Sequence, residues 1–166
     1  MFEKMFANLG KMPDPISIEE YISRQNELYS TFQSSDVLIL CSSPETIHSN
    51  DVHHPYRTQS NLLYLTGWTE PESIMFATKA SGTWKTHLFV QPKDTLKEIW
   101  EGRRPGLEGA EKNWPVDQAH SIDDVESTLI DMLSKANRVF HRMGILPSMD
   151  ELVVSSIKKR DRARQR

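Results

Sequence analysis

The run Val37-Leu-Ile-Leu-Cys41 constrains this chain more than any other stretch. Five consecutive apolar residues bounded by polar ones leave no face for water, so they read as a strand covered on both sides. Such a strand needs a layer above it and a layer below, and the flanking sequence supplies both. Before it, "SIEEYISRQNELYSTF" opens with Ser17 and Glu20 at capping-box spacing and repeats Ile18, Tyr21, Ile22, Leu28, Tyr29 and Phe32 at helical intervals. After it, "SIMFAT" (73–78) and "THLFVQ" (85–90) flank a Ser81-Gly82 turn signal and read as a hairpin. A helix fits Ile122 to Lys135 behind the cap Ser121, with Ile122, Val125, Leu129, Met132 and Leu133 on one face. "RVFH" (138–141) reads as a further strand. A last helix starts near Ser148, turns Met149, Leu152, Val153 and Ile157 inward, and dissolves into basic residues. Helices alternating with short apolar strands, one pair in a hairpin, predict an α/β domain with a mixed β-sheet flanked by helices.

Size agrees with one such unit, since 166 residues of which 37 % are hydrophobic suit a single core. No apolar run approaches the roughly 18 residues of a membrane span. The opening "MFEKMFANLGKMPDP" has too little continuous apolar character for a signal peptide. One cysteine, Cys41, excludes an internal disulfide, and its place at the end of an apolar strand makes a buried thiol the simpler role than a reactive one. A cytoplasmic location is the expectation. The net charge of −3 hides an asymmetry, because "KKRDRARQR" carries six of the 20 basic residues and the body is acidic. That body repels phosphates and no aromatics interleave with the basic tail, so nucleic acid is not an expected partner, and neither is a membrane.

The chemical inventory is thin. "NDVHH" places Asp51 near His53 and His54, the most metal-like cluster in the chain. Neighbours on extended backbone point to opposite sides, however, so the two imidazoles do not converge on one ion without a special turn. There is no H-E-x-x-H, no C-x-x-C, no G-x-S-x-G and no glycine-rich phosphate loop after a strand. Nucleophilic, zinc-protease and dinucleotide chemistry all lack their residues.

Two segments exceed what a scaffold needs. In "YRTQSNLLYLTGW", Arg57 and Asn61 precede the apolar turn Leu62 to Leu65, and Gly67 permits a positive φ after it. The stretch reads as a short helix docked by its leucines and tyrosine, with Arg57 and Asn61 either satisfying backbone groups around the turn or serving as contacts. In "EIWEGRRPG" a large aromatic, Trp100, stands beside Arg103 and Arg104, either a packed indole with solvated guanidiniums or a surface anchor of the residue types enriched at interfaces.

Taken together, "HPYRTQSNLLYLTGWTEPESIMFA" and "LFVQPKDTLKEIWEGRRPGLEGA" closely resemble the N-terminal domain of the Xaa-Pro aminopeptidases, also called aminopeptidase P. Tyr56, Arg57, Ser60, Tyr64, Leu65, Thr66, Gly67, Glu70, Pro71 and Glu72 match the first family motif, from which Thr58 and Asn61 depart. Glu98, Ile99, Trp100, Gly102, Arg103, Arg104 and Gly106 match the second. The resemblance implies a creatinase/prolidase N-terminal fold of ribonuclease H-like type over residues 15–160. Residues 1–14 are then an extension, and residues 161–166 a basic tail or the start of a linker to an absent catalytic domain.

By that resemblance the chain carries no cofactor, catalytic residue or metal ligand of its own. Two divalent metals, manganese by family expectation, belong to the following domain, where they activate water for hydrolysis of an N-terminal Xaa-Pro bond. The implied partners are that catalytic domain, further copies in a homo-oligomer, and a peptide with proline in second position. Trp100 is implied to reach a neighbouring subunit's substrate pocket, and Asp51 to face the catalytic domain. Tyr56, Arg57, Asn61, Gly67, Glu72, Arg103 and Arg104 are the structural signature. The alternative is a stand-alone binding or oligomerisation module derived from such a peptidase.

Overall fold

The computed structural model describes residues 15–49, 52–94, 96 and 103–165. The apolar run forms β1 (Asp36–Cys41), buried along its whole length. Hairpin strands β4 (Ile74–Ala80) and β5 (Thr83–Val90) lie to one side and β7 (Arg138–His141) to the other, with β6 (Gln118–Ser121) beyond β5, in the order β6-β5-β4-β1-β7. β1 runs antiparallel to β4, with Ile39 opposite Phe76, and parallel to β7, with Val37 opposite Val139. β4 and β5 are antiparallel, and β5 and β6 parallel. The hairpin loop is the two residues Ser81 and Gly82, with φ of 51° and 85°. Two consecutive positive φ values give the turn whose twist matches that of the strands.

Strand alternation divides the apolar side chains between two cores. Leu38, Leu40, Met75, Ala77, Leu88 and Val90 face one side, under α1 (Ile18–Ser30), α2 (Ser60–Thr66) and α3 (Gly106–Asn113). Val37, Ile39, Cys41, Ile74, Phe76 and Phe89 face the other, under α4 (Val125–Lys135) and α5 (Pro147–Arg164). Asp36 begins β1 at 1 % exposure and holds Arg138 of β7 through two hydrogen bonds of 2.9 and 2.6 Å. Burial pushes the Cys41 thiol up to about 12, with the Asp150 charge adding to the effect, so this cysteine is a packed apolar group.

Several expectations need correction. Ser17 caps α1 as expected, its hydroxyl accepting from Glu20 N, but Ile18 and Ile22 stand exposed. The helix instead buries Gln25 and Tyr29. The Gln25 amide donates to the carbonyls of Leu65 (2.9 Å) and Pro115 (2.8 Å), and its Oε1 accepts from Thr86 Oγ1 (2.8 Å). One glutamine therefore ties three elements together where an isoleucine would leave polar atoms without partners. The last helix does not end at its basic residues but runs through them to Arg164, with Arg160 donating to Ala136 O at 2.7 Å. Residues 161–164 thus continue the domain's own helix. The helix expected from Ile122 begins with a single 3₁₀ turn, Ile122–Asp124, before the α-helix. The short β2 (Ile47–Ser49) and β3 (Val52–His53), together with α3 and β6, carry no strong sequence signal.

Candidate functional site

Strands β1, β5, β6 and β7 all end on one rim of the sheet, where the reversed strand β4 begins. In open α/β sheets that rim is where loops converge and ligands or partners are met. The segment before β4 is held there by one hydroxyl. Trp68, 1 % exposed, donates from Nε1 to Ser73 Oγ at 2.7 Å, and Ser73 Oγ reaches the carbonyls of Pro71 and Glu70 at 2.8 and 3.1 Å. Ser73 is also locked to the end of β1. Ser42 N donates to Ser73 O at 2.8 Å, and Ser73 N donates to Ser42 Oγ at 2.9 Å. The Trp68 indole packs edge-on against Trp114 of the α3–β6 connection, 4.9 Å between ring centroids. "GWTEPES" is dense because nearly every residue in it either fills this anchor or shapes the turn around it.

The turn presents Glu72 with φ of 48°, a left-handed conformation that costs a residue bearing a Cβ of the order of 1–3 kcal/mol. Its carboxylate accepts a hydrogen bond from Gln91 Nε2, at the end of β5. Glu45, Glu70, Glu72, Gln91, Arg103 and Arg104 line a recess of about 370 Å³ open to solvent. It adjoins a wider cleft of about 920 Å³ that runs toward the start of α4 and α5. Three carboxylates and two guanidiniums on a braced frame suit charge-complementary contact with another protein surface. The rim's hydroxyls, Ser42 and Ser73, are already used as structural hydrogen-bond partners.

The signature residues divide. Glu72, Arg103 and Arg104 come together at the recess. Tyr56 is half-buried and donates from its hydroxyl to Ser43 O at 3.1 Å, steadying the chain just past β1. Gly67, φ 69°, ends α2 with its N–H on Leu63 O at 2.8 Å, and a Cβ there would stand 2.8 Å from the Tyr21 ring. Arg57 and Asn61 do not satisfy backbone groups around the turn. Both are exposed, Arg57 donates to Ser60 Oγ at 3.2 Å, and the cap is Gln59, whose Oε1 accepts from Asn61 N and Leu62 N at 2.8 and 3.0 Å. A glutamine side chain folded back on its own helix start supplies the acceptor these two N–H groups need, a role that a guanidinium, a donor only, does not fill. Trp100 and Asp51 lie outside the described residues.

His54 is exposed and its ring meets His48 edge-on across the β2–β3 ribbon, 4.9 Å between centroids. The pair that does approach within hydrogen-bond distance is His87 Nδ1 and His120 Nε2, 3.1 Å apart on β5 and β6. Burial, then the neighbouring imidazole, holds His87 below the usual histidine range. Among the described residues no group of three or more His, Cys, Asp or Glu is arranged to hold a metal ion. The sequence reading missed Ser73, Trp68, Gln91 and Gln25; a tryptophan five residues before a serine that opens a strand was the available signal for the first two.

Comparison with known proteins agrees with this architecture. Residues 21–140 match the family model described as aminopeptidase P, N-terminal domain. The chain is 32 % identical over 150 residues to an Xaa-Pro aminopeptidase of Haemophilus influenzae, covering 90 % of this chain and 34 % of that protein. It is 30 % identical over 137 residues to intermediate cleaving peptidase 55 of Saccharomyces cerevisiae, covering 81 % and 27 %. A solved structure of aminopeptidase P from Escherichia coli superposes with a TM-score of 0.83 at 31 % identity, covering 92 % of this chain and 35 % of that one. The chain therefore spans about a third of the length of the relatives it matches. It corresponds to their N-terminal region in a fold of creatinase/prolidase N-terminal type, and it belongs to the aminopeptidase P N-terminal domain family.

Proposed function

We propose that this chain is the leading, non-catalytic domain of a metal-dependent Xaa-Pro aminopeptidase of the cytoplasm. Its catalytic domain would hold two divalent metals, manganese by family expectation, and would hydrolyse the N-terminal Xaa-Pro bond. In this reading the domain builds a wall at the active-site entrance, so that only peptide N-termini are accepted, and joins subunits into a homo-oligomer. Trp100 stacks on the proline of a peptide in a neighbouring subunit, and Asp51 faces the catalytic domain.

One observation carries the proposal: the rim recess is lined both by Gln91 and by Arg103, so the segment between them leaves and returns at the same place. Trp100 stands three positions before Arg103, so the chain between them tethers its Cα within about 11 Å of that of Arg103 at the recess. A braced, charged rim beside a tethered indole is suited to shaping another domain's pocket.

The test is Trp100→Ala in two settings. In this chain alone, the unfolding free energy is expected to stay within about 0.5 kcal/mol, as for a surface change. In a protein extended through the catalytic domain, kcat/KM for Xaa-Pro peptides falls, because a stacking wall of the pocket is lost. A loss of several kcal/mol in the isolated chain makes Trp100 a core residue and removes the wall. Unchanged kinetics in the extended protein removes it equally.

A further inference from the structure

The α1–α2 face of the sheet is open over β7. Between α1, α2 and that edge strand runs an apolar groove of about 640 Å³, floored by Leu38, Leu40 and Phe140 and walled by Leu28, Phe32 and Tyr64. Phe140 stacks on Phe32 at 4.5 Å with the rings 8° from parallel, yet remains 36 % exposed. Tyr64 is 55 % exposed, and the Arg24 guanidinium sits 4.4 Å from its ring centroid and donates to its carbonyl at 3.1 Å. The opposite core has no such opening over β7, because α4 and α5 pack there on Val139. Two large aromatics exposed in one preformed groove mark a surface awaiting a cover.

We propose that the cover is the chain's own N-terminal segment, Phe2 to Leu9, which lies outside the described residues. Phe2, Met5, Phe6 and Leu9 fall at i, i+3, i+4 and i+7, one apolar stripe over about two helical turns, with Glu3, Lys4, Ala7 and Asn8 on the remaining positions. Gly10, Pro13 and Pro15 follow, the residues that end such a pattern and let the chain reverse before α1 begins at Ile18. The reach is sufficient. Leu28 lies ten residues up α1 from Ile18, about 15 Å at a helical rise. The connecting residues 10–17 span up to about 27 Å when extended. The segment thus folds back alongside α1 and lays its stripe on Leu28, Phe32, Tyr64 and Phe140, filling the groove over β7. This proposal does not depend on the peptidase reading.

The test is hydroxyl-radical footprinting of the whole 166-residue chain, read by mass spectrometry at Tyr64 and Phe140, with half-buried Tyr56 as the reference away from the groove. In the double variant Phe6→Asp, Leu9→Asp, and in a chain starting at Asp14, both groove residues are expected to oxidise several-fold faster than in the intact chain, with Tyr56 unchanged. The truncated chain keeps every described residue of both cores, so the result stands if the double variant fails to fold. Equal rates in all three proteins overturn the proposal. Protection that rises with protein concentration and persists without the segment overturns it in favour of a second copy as the occupant.

Discussion

At the scale of single residues, the signature positions are distinguished by what their atoms do. Gly67 is required by geometry: a Cβ at φ 69° is strained, and it would press on the Tyr21 ring. Gly67→Ala is expected to lower stability by at least about 1–2 kcal/mol, the cost of a left-handed L-residue, seen as an earlier midpoint in urea. Arg57→Ala, at an exposed position bonded only locally to Ser60, is expected to stay within about 0.5 kcal/mol in the same experiment. Thr86 is the contrasting buried case. Its hydroxyl, 1 % exposed, donates to Gln25 Oε1 and sits 2.8 Å from the Tyr29 hydroxyl, whose own proton burial holds far above the usual phenol range. Thr86→Val keeps the shape and strands two buried partners, so a loss of about 1–3 kcal/mol is expected, measured by chemical unfolding. If Thr86→Val costs less in a Tyr29→Phe background, where the hydroxyl that bonds Thr86 is already gone, part of the loss came from unpaired polar atoms rather than from packing.

At the scale of elements, α5 is pinned to the sheet by its first turn. Asp150 accepts from Gly144 N at 2.8 Å and lies 2.6 Å from His141 Nε2, and these contacts, the backbone one first, hold its carboxyl below the usual 3.8. The folded pKa is below the unfolded one, so Asp150 contributes stability above about pH 4 that is lost as pH falls through the folded value. Urea midpoints measured from pH 7 down to pH 3 are expected to drop steeply at the acid end. Asp150→Asn is expected to start lower at neutral pH and to drop less steeply, because the group that must take up a proton has gone. Asp36, held down first by its hydrogen bonds from Arg138, and Glu19, held down by backbone and Ser17 hydrogen bonds, contribute to the acid slope left in that variant. Element legibility followed burial. β1, the β4–β5 hairpin and α4 declare themselves because their apolar periodicity is strong. β6, "QAHS", buries only Ala119 and exists as a strand because β5 offers it a parallel ladder. α3, "GLEGAEKN", carries two glycines and is a helix because Ala110 and Leu107 have a core to enter.

At the scale of the whole molecule, both cores share the same three central strands, so they are expected to unfold together. Trp68, Trp84 and Trp114 all belong to the α1 side, whereas Leu129, fully buried, belongs to the α4 side. Leu129→Ala should cost about 2–5 kcal/mol. Its effect should appear in the indole fluorescence transition as fully as in far-UV circular dichroism. A fluorescence midpoint that does not move would show two independently stable halves. The same integration explains the braced rim: Ser42, Ser73 and Trp68 join the end of β1, the start of β4 and the α3–β6 connection, so a load placed on the recess is carried by the entire sheet.

What the sequence determined by itself was the layering, since a strand with no polar position requires cover on both sides, and periodicity then identified which helices supply it. The family was legible as well, because its two motifs are spelled by residue identity and their order along the chain. Other features depended on contacts between residues distant in the chain. Gln25 reads as a solvent position until Leu65, Pro115 and Thr86 arrive around it, and Ile18 and Ile22 read as core until the helix is rotated to bury that glutamine. Arg57 stands beside the turn, yet its guanidinium can only donate and finds Ser60 Oγ, while the N–H groups at the start of α2 are taken by the amide oxygen of Gln59. Hydrogen-bond satisfaction of buried polar groups is a tertiary property, so it decided these positions where hydrophobic periodicity could not.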